Sequence, residues 1–436
     1  MTSPETHGLA ARRVAYGVLN DVFFQKKTLD EAYSRTTGFE ALEARDRAFV
    51  KLLVSVVLKR WRETDVVLAR LLTEPLAELK PSQLVNIFRL GIAQLAFLQT
   101  PSHAVVDTSV ELAASEGIAH HKPLVNAVLR RLTREGYPHL SARDSGRITT
   151  PDWLWQQWVN DYGVEMALNI STANLDEAAV DFTARADTEQ WSKNLEAQIL
   201  PTGSLRKSSG GMIPSLQGYD EGAWWVQNAA AAIPVRLMGD VSGKTVVDLC
   251  AAPGGKTAQL AVGGAHVTAL DRSAPRMQRL LENMTRLRLD VETIIADGVQ
   301  WRPAEKVDAV LLDAPCTATG TIRHQPDVLL HKDIRDQEKL AALQRRLILN
   351  AAEMIKPGGM LVYCTCSLQK AEGEYQTDWL LGQGLGLKLL SISPEDARKQ
   401  GVDELLTPRG DIRALPCHWK DIGGIDGFYI ALFQKV

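Results

Sequence analysis

Residues 245–271 read TVVDLCAAPGGKTAQLAVGGAHVTALD, and this stretch decides the fold class of the C-terminal half. It runs from a short apolar segment through a turn rich in glycine, alanine and proline into a helical segment, and it closes with a second apolar segment. Similar apolar segments recur, with helical stretches between them, at 291–297, 307–315, 359–367 and 427–435. This alternation predicts an α/β domain over 221–436, with a parallel sheet covered by helices on both faces.

The first 140 residues follow a helical pattern instead. Apolar residues recur there at spacings of three and four, as at Leu68, Leu71 and Leu72, which is the period of an amphipathic helix. Prolines stand where several of the helical segments begin, and Gly136 stands where one of them ends. We therefore expect an all-α bundle of five to seven helices over 1–140.

Residues 141–220 mix the two patterns. We expect a linker over about 136–152 and then a small α+β connecting module. A tryptophan cluster at helical spacing begins at Trp153, and the apolar run at 179–185 predicts a strand.

The composition is that of a globular chain. Of its 436 residues 45% are hydrophobic and 23% are charged, and the net charge is −3. These values argue against a disordered chain, and no apolar run reaches the roughly 20 residues that a membrane-spanning helix needs. Arg12 and Arg13 interrupt the apolar run that a signal peptide requires. We therefore expect a cytoplasmic protein without membrane contact, although its charge shows no basic footprint for nucleic acid.

The five cysteines do not form a pattern typical of a disulfide framework or a metal site. Their number is odd and no CxxC pair is present. Cys316, Cys364 and Cys366 match no usual zinc spacing. We expect free thiols and no bound metal.

The turn after the first apolar segment is suited to a nucleotide-like ligand, because Gly254 and Gly255 let a ligand approach the backbone. It is not a phosphate loop, since that motif requires a glycine where the chain has Cys250. It is not GxGxxG either, which disfavours a nicotinamide cofactor. The next segments end near acids, with Asp271 placed to bind ribose hydroxyls and Asp297 to accept from an adenine amino group. S-adenosylmethionine is the ligand that we expect.

Two thiols are expected at the same edge of the sheet, because Cys316 and Cys366 both follow apolar segments. A thiolate is a strong nucleophile, and its addition to C6 of a cytosine makes C5 reactive toward a sulfonium methyl group. Addition builds negative charge on the ring, which an acid at N3 would stabilise, and Asp313 is the candidate. The other three cysteines, Cys250, Cys364 and Cys417, are more simply explained by packing.

The segments DLCAAPGGKT, DAPCTATGTIRHQPD and YCTCSLQKAEGE, with Asp271 and Asp297, resemble the RNA cytosine-C5 methyltransferases over about residues 220–436. The resemblance implies a Rossmann-like methyltransferase sheet that uses S-adenosylmethionine. It implies that Cys366 is the nucleophile and that Cys316 assists product release. It also implies cofactor contacts from Cys250, Ala251, Ala252, Pro253, Gly254, Gly255, Lys256, Asp271, Asp297 and Asp313.

The N-terminal segments PSHAVVDTSVELA and PLVNAVLRRL are similar to the NusB antitermination fold. A NusB-like domain before this catalytic domain is the arrangement of the RsmB/Sun/Fmu type of bacterial small-subunit ribosomal RNA methyltransferase. The resemblance therefore implies a 16S ribosomal RNA partner, a 5-methylcytosine product and a role in rRNA processing. We expect a monomer, with RNA contacts from Arg130, Arg131, Arg134 and Arg323.

Three positions depart from the family pattern. Asn228 stands where the family commonly has an acid, Cys364 where alanine is usual, and Thr317 in place of a usual serine. The first departure affects a cofactor or loop contact, and the other two leave the proposed chemistry unchanged.

Other functions stay open at this level. A DNA cytosine-C5 methyltransferase would use Cys316 as its nucleophile, and the presence of Thr365-Cys366-Ser367 disfavours it. Methylation of an amino group would need an aromatic residue after the proline, where the chain has Cys316. Further alternatives are C5 methylation of another RNA such as tRNA, or a non-catalytic ribosome-assembly or antitermination factor.

Overall fold

The computed structural model describes residues 8–138, 140–208 and 212–436. The chain forms two compact units. The first comprises the chain up to Trp155 together with Ala167–Asp176 and Gln325–His331, and the second comprises Gln156–Met166, Glu177–His324 and Lys332–Val436. Within these described ranges, no helix combines the length and the apolar character that crossing a membrane would require.

The N-terminal region is helical, as predicted. Residues 8–138 contain six α-helices, within the expected five to seven. The helices of the region up to the first strand are α1 (Leu9–Gln25), α2 (Leu29–Arg35), α3 (Ala44–Leu71), α4 (Leu84–Ala96), α5 (Ser102–Ser115), α6 (Lys122–Glu135), α7 (Ala142–Thr149), α8 (Asp152–Tyr162) and α9 (Val164–Ala173).

Helix α6 shows why these segments are helical. Its second residue is Pro123, which lacks the N–H that a first turn leaves unpaired anyway, and Gly136 ends the helix with a φ of 79°. Four apolar residues at helical spacing are fully or almost fully buried, and each contributes about 1.5–3 kcal/mol by burial. They are Val125, Val128, Leu129 and Leu132.

The linker predicted over 136–152 is wrong for residues 142–149, which form helix α7. Ser141 caps this helix by accepting the backbone N–H of Asp144 over 3.1 Å. Gly146 packs so closely on Ser171 that a Cβ there would lie 2.8 Å from the Ser171 carbonyl carbon. Helix α7 is short and its sequence ARDSGRIT is polar, so apolar periodicity could not reveal it.

The second unit contains a small antiparallel sheet. Its strand β1 (Val180–Ala184) confirms the strand predicted over 179–185. The strand order of this sheet is β2-β3-β1-β4. Helix α10 (Thr188–Leu195) lies between β1 and β2 in the chain. The strands are β1 (Val180–Ala184), β2 (Gln198–Ile199), β3 (Leu205–Lys207) and β4 (Trp224–Val226).

The large sheet has the strand order β10-β12-β9-β8-β5-β6-β7, with β11 paired to β12. Its strands are β5 (Thr245–Leu249), β6 (His266–Asp271), β7 (Glu292–Ile295), β8 (Val307–Asp313), β9 (Ile355–Thr365), β10 (Leu387–Leu389), β11 (Ile412–Ala414) and β12 (Phe428–Lys435). The helices of this part of the chain are α11 (Ala229–Leu237), α12 (Gly255–Val262), α13 (Ala274–Leu287), α14 (Val328–His331), α15 (Ile334–Met354), α16 (Glu374–Leu381) and α17 (Pro394–Lys399).

The expectation of a wholly parallel sheet needs correction. Strands β5 to β9 pair in parallel, whereas β12 pairs antiparallel with β9, β10 and β11. Strand β9 also begins at Ile355, four residues before the apolar segment predicted at 359–367, and its pairing with β8 is irregular between Val307 and Ala309. The sheet is therefore mixed, with a parallel centre.

The parallel centre places the site. Strand β5 lies between β6 and β8. The chain passes from β5 to β6 and β7 on one side of β5, and then returns to form β8 and β9 on the other side. A crevice opens outside the carboxyl ends of the strands at such a switch point, and ligands of open α/β sheets bind there. The turn after β5 lies at this point.

Candidate active site

The turn after β5 bends sharply and brings its backbone to the surface of the crevice. Cys250 adopts a positive φ of 62°, and Gly254 has a φ of 101° just before α12 begins at Gly255. A Cβ on Gly254 would lie 2.9 Å from Leu280 Cγ, so only glycine fits this position without displacing its neighbour. The turn predicted from the sequence is therefore present and depends on its glycine.

Asp271 and Asp297 stand at the ends of the neighbouring strands, as predicted. Asp271 is 2% exposed and accepts backbone N–H groups from Ser273 over 2.9 Å and from Ala252 over 3.3 Å. Arg276 adds an ion pair at 3.2 Å. Asp271 thereby ties the end of β6 to the turn after β5. The side chain of Asp297 is exposed and accepts the N–H of Val299 over 2.9 Å.

Lys256 and Asp313 form an ion pair between α12 and the end of β8. Lys256 Nζ donates to Asp313 Oδ2 over 2.9 Å and lies 5.0 Å from the centroid of the Phe428 ring. Burial, the largest single effect, would by itself lower the pKa of Lys256, but the charge of Asp313, the hydrogen bond with it and the other nearby acidic groups together outweigh burial, and the pKa is raised. The pair therefore joins the predicted cofactor turn to the predicted acid as a fixed, charged contact.

Asp248 is a buried acid that the sequence analysis did not single out. Its Oδ2 accepts the hydroxyl of Thr257 over 2.6 Å, and its Oδ1 has no hydrogen-bond partner among the residues that the structure describes. Burial raises the pKa of Asp248 to about 7. The signal available in the sequence was an acid inside the otherwise apolar run TVVDL.

The structure brings the two predicted thiols together. Cys316 Sγ and Cys366 Sγ are 3.5 Å apart. The hydrogen bond with Cys366 and, after it, burial raise the pKa of the Cys316 thiol. Cys364 is 0% exposed in the core, as expected for a packing residue, and its Sγ also lies 3.7 Å from Asp313 Oδ1.

Backbone hydrogen bonds join the loop of Cys316 to the loop of Cys366 and to the segment before β12. Gly320 donates its N–H to the carbonyl of Cys366 over 2.9 Å, and Gly427 donates to the carbonyl of Gly320 over 2.8 Å. A Cβ on Gly320 would overlap the backbone of Gly427, so no larger residue fits there. The loop after β8 and the loop after β9 are thus joined backbone to backbone.

Glu372 is a second buried acid that the sequence analysis missed. It is 0% exposed and accepts hydrogen bonds from Thr317, Ser367 and Gln344. Burial raises its pKa, although its hydrogen-bond donors oppose that rise. It lies in the segment KAEGE, whose charges resemble those of an exposed turn, so no sequence signal marked it.

Arg323 requires a correction, because it was expected to contact RNA. It is 5% exposed, and its guanidinium donates to the carbonyls of Gly423 over 2.7 Å and Glu177 over 3.4 Å. A side chain so enclosed by its own chain holds loops together and is not positioned to reach an external phosphate.

The three arginines of α6 are more accessible. Arg130 bonds Asn126 within the helix over 2.8 Å, and Arg131 pairs with Glu135 over 2.8 Å. The side chain of Arg134 is 76% exposed and lies 3.9 Å from Glu135. These contacts are weak surface pairs that an RNA phosphate could replace.

Asn228, the departure from the family acid, caps a helix. Its Oδ1 accepts the N–H of Ala230 over 2.9 Å at the start of α11, and its Nδ2 lies 3.4 Å from His324 Nε2. His324 in turn lies 3.4 Å from the buried carboxylate of Asp426. The amide thus keeps the capping function that an acid would also serve.

Two family models match the chain. The model described as 16S rRNA methyltransferase RsmB/F matches residues 236–434, and the NusB family model matches residues 9–134. Their order along the chain is the order that the motifs indicated.

Curated proteins match the chain over nearly its full length. It is 34% identical to ribosomal RNA small subunit methyltransferase B of Xanthomonas campestris pv. campestris, with 98% of each chain covered. It is 31% identical to the probable ribosomal RNA small subunit methyltransferase B of Synechocystis sp., with 98% of this chain and 100% of that one covered.

The fold agrees with these matches. The crystal structure of a methyltransferase homolog protein from Pyrococcus horikoshii is 26% identical, has a TM-score of 0.53 and covers 70% of this chain and 98% of its own. The resemblance first seen in the motifs is confirmed. The chain belongs to the RsmB/F family of S-adenosylmethionine-dependent RNA cytosine-C5 methyltransferases, with a NusB-family domain preceding the catalytic domain.

Proposed function

We propose that this enzyme methylates C5 of a cytosine in 16S ribosomal RNA through a covalent adduct between Cys366 and C6 of the base. The observation that carries the proposal is the 3.5 Å separation of Cys316 Sγ and Cys366 Sγ at the carboxyl edge of the sheet. Covalent catalysis at a pyrimidine needs a nucleophile to attack and a second group to assist its release, and this pair supplies both. The names of the curated relatives indicate the small-subunit RNA as the substrate.

The residues at the crevice fit S-adenosylmethionine, which supplies the methyl group as an electrophile. Positive φ angles at Cys250 and Gly254 expose the backbone of the turn, from Cys250 through Lys256, to a ligand. Asp297 follows strand β7, and its carboxylate is exposed. The carboxylate of Asp271, at the end of β6, accepts the N–H of Ala252 and so fixes the turn. Acids at successive strand ends suit the hydroxyl and amino donors of an adenosine.

Attack begins at Cys366. Its thiolate adds to C6, which converts the ring into an enamine whose C5 takes the methyl group. Asp313 stands at N3 in this proposal and donates a proton to it, which neutralises the negative charge that addition places on the ring. The ammonium of Lys256, 2.9 Å from Asp313 Oδ2, adds a fixed positive charge at the same place.

Release requires the C5 proton to leave. In the proposal this proton passes to a water that the Cys316 thiol orients, as the bond between Cys366 Sγ and C6 breaks. The C5–C6 double bond forms again, the proton on N3 returns to Asp313 and Cys366 regains its thiolate. The two sulfurs are 3.5 Å apart, so both can contact the C5–C6 edge of the same cytosine.

The test combines two variants with a wild-type reference on unmethylated 16S ribosomal RNA. Cys366→Ala should abolish methyl transfer, whereas Cys316→Ala should transfer the methyl group and accumulate a covalent protein–RNA adduct on a denaturing gel. An inert Cys316→Ala together with an adduct trapped by Cys366→Ala would reverse the roles. Mapping of 5-methylcytosine in ribosomal RNA from cells with and without the protein would identify the target, and a site found only in tRNA would overturn the substrate.

The proposal extends to partners and location. Arg130, Arg131 and Arg134 of α6 contribute to RNA binding, and the enzyme acts as a monomer in the cytoplasm, where the ribosomal RNA is made. Sedimentation of the free protein as a species larger than one chain would contradict the monomer. A non-catalytic assembly role is disfavoured, because such a role would not require two adjacent thiols beside a buried ion pair.

A further inference from the structure

The carboxylate of Glu372 contacts the loops of both cysteines, yet the mechanism above gives it no role. Thr317, the residue after Cys316, donates its backbone N–H to Glu372 Oε1 over 3.0 Å and its hydroxyl to Oε2. Ser367, the residue after Cys366, donates its hydroxyl to Oε2 over 2.6 Å. Glu372, Thr317 and Ser367 are all 0% exposed, so water does not compete for these bonds.

Gln344 of α15 completes the hold on the Cys316 loop. Its Nε2 donates to Glu372 Oε1 over 3.0 Å and to the carbonyl of Pro315 over 2.9 Å. Tyr363 donates its hydroxyl to the backbone carbonyl of Glu372 over 2.7 Å, and its oxygen lies 3.2 Å from Gln344 Oε1. The residues immediately before and after Cys316 are therefore both bound, directly or through Gln344, to Glu372.

The Cys366 loop has further supports of its own. Arg413 donates to the carbonyl of Ser367 over 2.6 Å, and Tyr162 donates its hydroxyl to the carbonyl of Leu368. Strand β9, which leads into this loop, pairs with β12 on one side and β8 on the other. The position of Cys366 thus rests on several contacts that do not involve Glu372.

The charge of Glu372 also acts on one thiol. The pKa of Cys316 is raised, first by its hydrogen bond with Cys366, then by burial, and further by the negative charge of Glu372. The same charge raises the pKa of Tyr363, after the larger effect of burial. Glu372 is thereby coupled to Cys316 by position and by charge.

We propose that Glu372 is a positioning residue for Cys316, which it holds where that thiol can act on the adduct formed by Cys366. The inference rests on the proposed function, because it assigns to Glu372 the support of the release step. The residues on both sides of Cys316 are bound to Glu372 directly or through Gln344, whereas Arg413 and Tyr162 hold the loop of Cys366 independently of Glu372, so loss of the carboxylate should impair release more than attack.

Two substitutions separate the carboxylate's geometry from its charge. In Glu372→Gln the amide oxygen can take the place of Oε1, whose partners are N–H groups, and the amide nitrogen that of Oε2, whose nearer partners are hydroxyls. Hydroxyls can turn and accept, so the loop should keep its position. Glu372→Met has a similar shape and no hydrogen-bonding capacity there, so the backbone N–H of Thr317 loses its partner, whereas its hydroxyl keeps Ser367 and Gln369.

The experiment uses the full chain with S-adenosylmethionine and unmethylated 16S ribosomal RNA. We expect Glu372→Met to transfer the methyl group in a single turnover at close to the wild-type rate, with an unchanged KM for RNA. Its multiple-turnover kcat should fall about a hundredfold, the effect of a displacement near 1 Å, and the covalent adduct should accumulate as in Cys316→Ala. Glu372→Gln should turn over nearly as the wild type. Asp308→Asn, which removes a carboxylate at the opposite end of β8, is the control and should accumulate no adduct.

Several outcomes would overturn the inference. One is a Glu372→Met enzyme that turns over normally, and another is a folded Glu372→Met enzyme that fails to form the adduct at all. If Glu372→Met does not fold, Gln344→Met takes its place, since it frees the Pro315 carbonyl and should also accumulate adduct; its failure to do so would count equally. If Cys316→Ala itself accumulates no adduct, the proposed roles of the thiols fail instead.

Discussion

Lys256 Nζ lies 2.9 Å from Asp313 Oδ2, although 57 residues separate the two in the chain. The pair connects the first turn of α12, beside the predicted cofactor turn, to the end of β8, beside the two thiols. Each partner neutralises the other in a partly dry environment, with 9% of the Lys256 side chain and 32% of the Asp313 side chain exposed. This unequal exposure leads to a first prediction.

Asp313→Asn should destabilise the fold more than Lys256→Met does. The first change leaves a buried ammonium without its partner, which costs about 3 kcal/mol or more. The second leaves a carboxylate that water can partly reach. Urea unfolding of both variants measures the difference, and equal losses of unfolding free energy would show that the exposure of the two partners does not decide the cost. Both variants should also lose methyl transfer.

Asp248 should make the stability of the free enzyme fall as the pH rises. Burial raises its pKa to about 7 in the fold, against about 3.9 in the unfolded chain. The folded state therefore holds a proton that the unfolded state releases, so this contribution is fully present below about pH 4 and is lost by about pH 7.

Asp248→Asn removes that dependence. The unfolding free energy of the variant minus that of the wild type should grow between pH 4 and 7, by at most about 1.4 kcal/mol per pH unit, and should then level off. Asp308→Asn is the matched control, since hydrogen bonds from Thr245 lower the pKa of Asp308 to about 2. Its difference from the wild type should stay flat between pH 4 and 7 and should fall with rising pH only between about pH 2 and 4. A pH-independent difference for Asp248→Asn would contradict the prediction.

Mild oxidation should join Cys316 to Cys366. Their sulfurs need to approach from 3.5 Å to about 2.05 Å, and one hydrogen peroxide with two thiols gives one disulfide and two waters. The product should lose two hydrogen atoms in mass, lose activity, and regain both with dithiothreitol. Peptide mapping should link these two cysteines and leave Cys250 and Cys417 unlinked. A disulfide to Cys364 instead would mean that the pair is not adjacent in solution.

The arginines of α6 should bind RNA through phosphates. Replacement of Arg130 and Arg134 by alanine should weaken binding of 16S ribosomal RNA and reduce the slope of log affinity against log salt by about 0.7–0.9 for each phosphate that is no longer neutralised. Arg35→Ala removes a similarly exposed arginine of α2 and serves as the control. An identical salt slope for the double variant and the wild type would exclude these residues from the RNA interface.

Much of the site could be predicted from the succession of strands along the chain and from the residues that follow each strand. The turn at Cys250–Gly255, the acid at Asp271 and the thiols at Cys316 and Cys366 were expected at one edge, because parallel strands in a sheet end on the same side. The reversal of β12 and the helix α7 were not foreseen. A single antiparallel strand at one side of a sheet and a short polar helix leave almost no trace in apolar periodicity.

Other features escaped prediction because burial overrides residue type. Glu372 lies in a segment with the charge of a surface turn, yet it is 0% exposed between two loops. Arg323 has the side chain of a phosphate ligand, yet the carbonyls of Gly423 and Glu177 enclose it. The residues next to Glu372 and Arg323 in the sequence do not indicate that either side chain is buried.

The amino-acid sequence by itself determined the order of helices and strands, the edge on which the chemistry lies and the family, since these depend on periodicity and on short motifs. Only the tertiary structure decided which side chains meet across that edge. The 3.5 Å between two thiols 50 residues apart and the contacts of the Glu372 carboxylate with both of their loops arise from packing between distant segments, which no local spacing encodes.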